Sequence, residues 1–294
     1  MTQIIDGKSI AEQIRSEVKT KTEILLSEQQ IKPGLAVLLV GDNAASQVYV
    51  RSKEKACIEA GFYSIVNRLP DTATEQEVLS IINQWNNDSS IHGILVQLPL
   101  PKHINEMKAL LTISPRKDVD GFHPENVGRL VIGLPGFVPC TPAGIVELFK
   151  RSHISLAGKH VVVIGRSNIV GKPIANLLYQ KKSYANAVVT ICHTGAGDIR
   201  PYTKQADVLI AAIGVAHRIG ADDVKDGVVV IDVGMNRISD ATSKTGTRLV
   251  GDVDYEEVAP KASAITPVPK GVGPMTIAML LENTYRSAAG EIFN

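Results

Sequence analysis

The chain has 294 residues, and at roughly 150 residues per domain it is sized for two domains, each large enough to bury a core. Lys and Arg number 31 against 30 Asp and Glu, a formal charge of +1, and only 5 Phe, 7 Tyr and 1 Trp are present. This balance excludes nucleic acid as the main partner, because phosphate affinity needs a basic surplus and single strands need stacking platforms; the 44% hydrophobic and 21% charged content excludes intrinsic disorder.

The longest apolar runs, such as 35–40 and 161–164, fall far short of the ~20 residues that a bilayer helix needs, so no membrane partner is expected. The opening segment MTQIIDG lacks the basic and apolar regions of a secretory signal. Cys57, Cys140 and Cys192 are far apart, with no CxxC and no His at zinc spacing. They are expected as buried thiols in a reducing compartment, the cytoplasm, with no metal.

Short β-branched runs alternate with longer amphipathic stretches, the pattern of parallel strands joined by crossover helices, so the predicted fold class is α/β. In chain order the first half reads as helix 8–28, strand 34–40, helix 44–60, strand 63–69, helix 75–85, strand 92–98 and helix 105–111. The Pro/Gly-rich stretch 135–142 is a connection, with a domain boundary near residue 140 and a helix over 142–151. Strands follow at 159–164, 188–192, 208–213 and 228–233, apolar enough to be expected buried on both faces. The polar stretch 237–248 reads as an exposed loop. A Pro/Gly-rich run, 266–274, precedes an amphipathic helix 276–289 that is placed to return to the first domain. The predicted domains are therefore 1–140 together with 275–294, and 141–274 as a Rossmann-like parallel sheet.

After the strand ending at Ile164 comes Gly165-Arg166-Ser167-Asn168-Ile169-Val170-Gly171-Lys172-Pro173, then a helix. Gly165 permits a tight turn, Gly171 close backbone approach, and Pro173 suits a first helical turn. The spacing departs from G-x-G-x-x-G, so the segment fits either a dinucleotide phosphate turn or an ordinary glycine turn. The next strand ends in Cys192-His193-Thr194 with no acid before Asp198 to hold a ribose 2′-hydroxyl. Arg166 can offer a bidentate guanidinium to a 2′-phosphate instead, with His193 and Thr194 as further donors, which favours NADP over NAD.

On the helix 44–60, Ser46, Tyr49 and Lys53 share one face, and Ala45, Val48, Ser52, Ala56 and Ala60 form a neighbouring small-residue stripe expected to pack on the sheet. A Tyr and a Lys four residues apart make an acid/base unit, because a partly desolvated Lys loses its proton more easily. The same spacing also fits a solvated Lys and a half-buried Tyr. The third strand ends in Gln97-Leu98-Pro99-Leu100-Pro101, at the carboxyl end where open sheets bind ligands, and there Gln97 can meet Lys53. Lys117-Asp118-Val119-Asp120-Gly121-Phe122 puts two acids at a turn without the remaining ligands of a calcium loop. Pairing with an amidine-like heterocycle edge and capping of the turn both remain open.

Taken together, these segments resemble the bifunctional methylenetetrahydrofolate dehydrogenase/methenyltetrahydrofolate cyclohydrolase family over nearly the whole chain. The motifs that carry the resemblance are Ile5-Asp6-Gly7-Lys8, Ser46-x-x-Tyr49-x-x-x-Lys53, the run from Gly93 to Pro101, and Lys117 to Phe122. Further along they are Pro139-Cys140-Thr141-Pro142, Gly165 to Pro173, and Thr266 to Thr276. The resemblance implies a folate cleft between two domains and oxidation of 5,10-methylenetetrahydrofolate with NADP, followed by hydrolysis of the methenyl product to 10-formyltetrahydrofolate. It implies Lys53 in the cyclohydrolase step, Gln97 tuning Lys53, and Tyr49 stacking on or positioning the substrate. Asp120 would bind the pterin ring, with Ser46, Val96 and Leu98 lining the site and Pro269 to Gly273 bordering the folate. Gly165, Arg166, Ser167, Thr194 and Met235 would contact the cofactor, and the protein would be a homodimer.

One position departs from the family's usual Pro-Gly-Gly-Val-Gly-Pro: this chain has Lys270 between Pro269 and Gly271. Its cation is expected either beside the folate edge or in solvent. The competing readings are an NADP-dependent dehydrogenase of another small substrate and a catalytically idle folate-binding protein.

Overall fold

A computed structural model describes residues 2–243 and 246–294. The chain opens with β1 (Gln3–Ile4) and α1 (Gly7–Gln29). Strands and helices then alternate through β2 (Gly34–Val40), α2 (Ala44–Glu59), β3 (Tyr63–Leu69), α3 (Glu75–Asn87) and β4 (Gly93–Val96), followed by α4 (Glu106–Thr112) and α5 (Pro124–Val131). Next come α6 (Cys140–Arg151), β5 (His160–Ile164), α7 (Gly171–Leu178), β6 (Val188–Cys192), α8 (Arg200–Thr203), β7 (Val208–Ala211) and β8 (Val229–Asp232). The last elements are β9 (Asn236–Ser239), β10 (Thr247–Val250), α9 (Tyr255–Val258), β11 (Ala264–Ile265) and α10 (Val272–Ala288). No helix among the described residues is long and apolar enough to cross a membrane.

The chain divides into two compact units, Glu12–Cys140 with Ile277–Asn294, and Met1–Ala11 with Thr141–Thr276. The first is built on a parallel three-stranded sheet in the order β3-β2-β4. Its middle strand, β2, contains no polar side chain and is buried at every position, as a strand covered on both faces must be. Leu38, Ile82 and Ile94 lie in the core of this unit, each worth about 1.5–3 kcal/mol of burial. A capping box starts α3: Glu77 N–H donates to Thr74 Oγ1 at 3.2 Å, and Thr74 N–H to Glu77 Oε2 at 2.7 Å. Helical spacing then buries Val78, Leu79, Ile82 and Trp85. His123 caps α5, with Pro124 opening the helix where a missing N–H costs nothing.

The second unit carries a six-stranded sheet in the order β1-β11-β8-β7-β5-β6, parallel throughout. Three features differ from the sequence reading. Residues 2–11, assigned there to the first domain, are built into this unit because β1 pairs with β11; two-residue strands are too short to show a period. The strand at 188–192 is not buried on both faces: β6 ends the sheet, and Val188 and Ile191 are exposed. The expected loop at 237–248 begins and ends in an antiparallel hairpin, β9 with β10, in which Asn236 pairs with Val250 and Ile238 with Arg248; residues 244 and 245 lie outside the described residues.

The helix expected from 276 starts earlier, at Val272, with Pro274 in its first turn, where the chain has orphan N–H groups in any case. Just before it, Lys270 adopts φ 88°, a left-handed conformation that costs a residue with a Cβ about 1–3 kcal/mol. Its carbonyl accepts the Lys8 N–H at 2.9 Å, and its side chain is exposed. Lys270→Gly is therefore expected to stabilise the protein by about 1 kcal/mol. A higher midpoint in thermal unfolding is the predicted result; an unchanged or lower one contradicts the strain.

Candidate active site

In the first unit the site begins with α2. Asn43 Oδ1 accepts the Ser46 N–H at 3.0 Å and starts the helix. The buried face is then Ser46, Val50, Lys53, Ala56 and Cys57, with Ala60 following. The stripe expected to pack on the sheet is thus only half right, since Ala45, Val48 and Ser52 face solvent. Val50 and Cys57 have more apolar surface to hide than the small residues beside them, and they set the rotation of the helix. Lys53 consequently lies on the packed face, 8% exposed, while Tyr49 is 42% exposed at its edge.

A buried ammonium needs an acceptor. Lys53 Nζ donates to Gln97 Oε1 at 3.0 Å. Gln97 Nε2 donates to Leu98 O at 2.8 Å, which turns the amide so that its oxygen faces the lysine. The Gln97 N–H is held by Leu38 O at 2.9 Å, so the residue continues the β2–β4 ladder one step past β4. Val96 is buried and Leu98 partly buried beside it, and the Leu98–Pro99 bond is cis.

The two acids of the Lys117–Phe122 turn have different roles. Asp118 caps the turn: it accepts the Phe122 and His123 N–H groups at 3.2 and 2.8 Å and Asn126 Nδ2 at 2.8 Å. Burial pushes its pKa up to about 7. A bridge between Asp118 and Ile94 lays this segment alongside β4. Asp120 is then brought into the field of Lys53. Burial raises the Asp120 carboxyl above the ordinary range, while the Lys53 charge and a hydrogen bond with Cys140 pull it back. Gly121 has φ 71°, and a Cβ there would lie 2.7 Å from Pro139 N, so only glycine fits. Asn283 on α10 supports the same turn, donating to Val119 O at 2.8 Å and Val138 O at 3.1 Å. Burial and the neighbouring Asp120 carboxylate both raise the Cys140 thiol, which makes it a packing group rather than a nucleophile.

In the second unit the turn after β5 is closed by glycine against backbone. Gly165 has φ 122°, and a Cβ there would lie 2.2 Å from Ala212 O; a Cβ at Gly171 would lie 2.2 Å from Gly165 O. Ser167 Oγ accepts the Val170 and Gly171 N–H groups at 3.1 and 3.3 Å. Arg166 reaches the end of the neighbouring strand, with Nη1 3.5 Å from His193 Nε2, next to the exposed Thr194. Met235, Pro269 and Gly273 line one small cavity with Asp232, Val233 and Gly234. The candidates thus fall into three groups: Ser46, Tyr49, Lys53, Val96, Gln97, Leu98 and Asp120 in one unit; Gly165, Arg166, Ser167 and Thr194 at one sheet edge of the other; Met235, Pro269 and Gly273 in the small cavity of that second unit.

Sequence reasoning missed Asp232 and Asp252. Asp252 accepts the Ile213, Gly214 and Val215 N–H groups at 2.6, 2.9 and 3.0 Å and Asn236 Nδ2 at 2.8 Å. Asp232 accepts the Gly234, Asp252 and Val253 N–H groups at 2.9, 3.0 and 3.0 Å. They shape the loops at the carboxyl ends of β7 and β8, where a parallel sheet binds its ligand. The available signal was a lone acid closing the apolar strand at Asp232.

The family model for the tetrahydrofolate dehydrogenase/cyclohydrolase catalytic domain matches residues 5–120, and that for the NAD(P)-binding domain of the same enzymes matches residues 139–292. The chain belongs to the tetrahydrofolate dehydrogenase/cyclohydrolase family. It is 57% identical to the bifunctional protein FolD of Chloroherpeton thalassium over 97% of each chain. The corresponding protein of Streptococcus agalactiae is 56% identical over 98% of each. The crystal structure of the bifunctional FolD from Campylobacter jejuni superposes with a TM-score of 0.93 at 52% identity, covering 99% of both chains. FolD of Trypanosoma brucei, solved with NADP cofactor and an inhibitor, superposes with a TM-score of 0.92 at 36% identity, covering 100% of this chain and 99% of that one. This chain is accordingly a bifunctional dehydrogenase/cyclohydrolase, with both of the family's domains in sequence order.

The turn capped by Asp118 carries a pH signature. Asp118 holds its proton more tightly folded than unfolded, so its contribution to stability is full below the ordinary carboxylate range and is lost as pH rises to about 7. Between about pH 5 and about pH 8, the wild-type melting temperature is expected to fall relative to that of Asp118→Asn. A difference that does not change with pH contradicts the protonated turn.

Proposed function

We propose that the binding of the two reactants is divided between the two units. The reaction is oxidation of 5,10-methylenetetrahydrofolate to the methenyl compound with NADP, then hydrolysis to 10-formyltetrahydrofolate. The unit holding Lys53 binds the folate, and the unit holding Gly165 binds the cofactor. The observation that carries this reading is the Lys53–Gln97 hydrogen bond at the carboxyl end of a parallel sheet, in the field of Asp120.

In the first step hydride leaves the one-carbon bridge, and the lone pairs of the flanking ring nitrogens stabilise the amidinium that forms. That step needs alignment rather than a base. NADP supplies the hydride acceptor. The glycine turn is read as the cradle for its phosphates: Gly165 and Gly171 let the chain close against its own backbone at the start of α7, whose free N–H groups suit an anion. Gly165, Ser167 and Thr194 hold the dinucleotide, Met235 borders it, and Arg166 meets a 2′-phosphate where β6 runs out with no acid.

In the second step water adds to the methenyl carbon. With the substrate's amidinium charge beside it, Lys53 acts as the neutral amine: it takes one proton from the attacking water and returns it to the ring nitrogen whose bond to that carbon breaks, while the remaining hydroxyl proton leaves to solvent as the formyl C=O forms on the other nitrogen. Gln97 aims the lysine. Asp120 accepts hydrogen bonds from the amidine-like edge of the pterin, and Tyr49 positions the ring from the exposed side of α2. Ser46, Val96 and Leu98 line this side of the substrate. The same reading takes the enzyme as a homodimer of the cytoplasm, where its three buried, free thiols stay reduced.

Lys53→Ala is expected to slow methenyl hydrolysis by about 10²–10⁴-fold while hydride transfer stays measurable. Absorbance of reduced nicotinamide and of the methenyl compound, followed together, separates the steps. Accumulating methenyl product supports the role; hydrolysis at the wild-type rate removes it.

A further inference from the structure

Asp120 sits at a corner of a β-turn whose central peptide is held from α10. Asp118 O accepts the Gly121 N–H at 2.9 Å, so Val119 and Asp120 form the two corners and the peptide between them is the central one. In a β-turn that peptide can face either way: types I and II differ by half a rotation of it, and type II needs positive φ at the second corner. Asp120 is not among the non-glycine residues with positive φ, so the turn takes the first orientation. The Val119 carbonyl oxygen is the atom that has to be anchored to keep it there.

One amide anchors it. Asn283 is 3% exposed, and its Nδ2 donates to Val119 O at 2.8 Å and to Val138 O at 3.1 Å, with Cys140 Sγ 3.8 Å away. Two carbonyl oxygens side by side in an apolar interior call for a donor with two hydrogens and no charge, which is the NH₂ end of an asparagine. Val138 belongs to the segment on which the turn packs, since a Cβ on Gly121 would lie 2.8 Å from Val138 C. Asn283 thus ties the peptide that leads into Asp120 to the chain behind the turn. One helical turn further along α10, Ser287 Oγ donates to His92 O at 2.7 Å and lies 3.4 Å from Arg116 O. Among the described residues, neither side chain bonds Lys53, Gln97 or the Asp120 carboxyl.

We propose that Asn283 is a positioning residue for the folate: by holding the Val119 carbonyl it fixes the peptide that carries the Asp120 nitrogen, and with it the place where the Asp120 carboxyl meets the pterin. The proposal rests on the Asp120 role given above. Hydrogen bonds to a planar heterocycle weaken steeply with misalignment, so a loosened turn costs binding even when the carboxyl is intact.

Asn283→Ala and Ser287→Ala each remove an anchor of α10, but only the first releases the central peptide of the turn. Steady-state kinetics of the full-length enzyme should give Asn283→Ala a KM for 5,10-methylenetetrahydrofolate raised about tenfold. Its kcat should stay within about twofold of wild type and its KM for NADP should not change. Ser287→Ala should keep the wild-type folate KM even where it melts at a lower temperature. If Asn283→Ala does not fold, Asn283→Ser, which keeps one donor on a shorter arm, carries the same test. A wild-type folate KM in the Asn283 variant, an equal rise in Ser287→Ala, or failure of both Asn283 variants to fold overturns the proposal.

Asp120→Ala separates this proposal from the reading beneath it. An unchanged folate KM in Asp120→Ala removes the Asp120 role and the positioning with it; a raised KM there, beside a wild-type KM in Asn283→Ala, removes the positioning alone. In the Asp120→Ala background, Asn283→Ala is expected to raise the folate KM no further. Losses that multiply contradict an action through Asp120.

Discussion

A lysine ammonium removed from water sets the terms for the first unit. Lys53 sits on the packed face of α2 because Val50 and Cys57 bury there, and an ammonium in that position is costly unless something accepts its hydrogens. Gln97 does so one residue past the end of β4, and its own amide is oriented by Leu98. The Asp120 turn, braced by Asn283, adds a negative group whose proton affinity is set against the same cation. A cation, an amide and a carboxyl are thereby held at one sheet end with little freedom. On the proposed mechanism, hydrolysis of the amidinium uses such a fixed proton carrier and hydride transfer does not.

Both units use a second device in common. Asp118, Asp232 and Asp252 are buried acids that accept several backbone N–H groups instead of pairing with a cation. A loop leaving a parallel strand has N–H groups that can no longer join the ladder, and one carboxylate satisfies two or three of them at once. The cost is visible in Asp118 and Asp232, whose pKa values burial pushes up to about 7 and about 6. The benefit is loop geometry at the edge of the sheet where ligands bind. Gly234 and Gly251 belong to the same device, since a Cβ on either would strike the Asp252 or Asp232 carboxylate.

What could be read from the sequence follows from how much pattern each element carries. β2 and β3 match their expected bounds to the residue because seven-residue runs between turn signals leave little choice. The Lys53–Gln97 contact was legible because Gln97 closes a strand and Lys53 lies on a helix beside it. The packing stripe of α2 was misread since Ala and Ser carry almost no burial preference. β1 and β11 are too short to have a period, and the exposure of β6 depends on its place at the end of the sheet, which strand composition does not record. Asp232 and Asp252 act singly, through main-chain groups, and leave no spacing to find.

The central claim, that Lys53 and Gln97 act as one unit in hydrolysis, is tested most directly by a double-mutant cycle. Methenyl hydrolysis would be measured for wild type, Lys53→Ala, Gln97→Ala and the double variant. The account predicts strong non-additivity: each single change is damaging, yet Gln97→Ala costs almost nothing further once Lys53 is gone. Losses that simply multiply would show two independent contributions and contradict the claim that the amide works through the lysine.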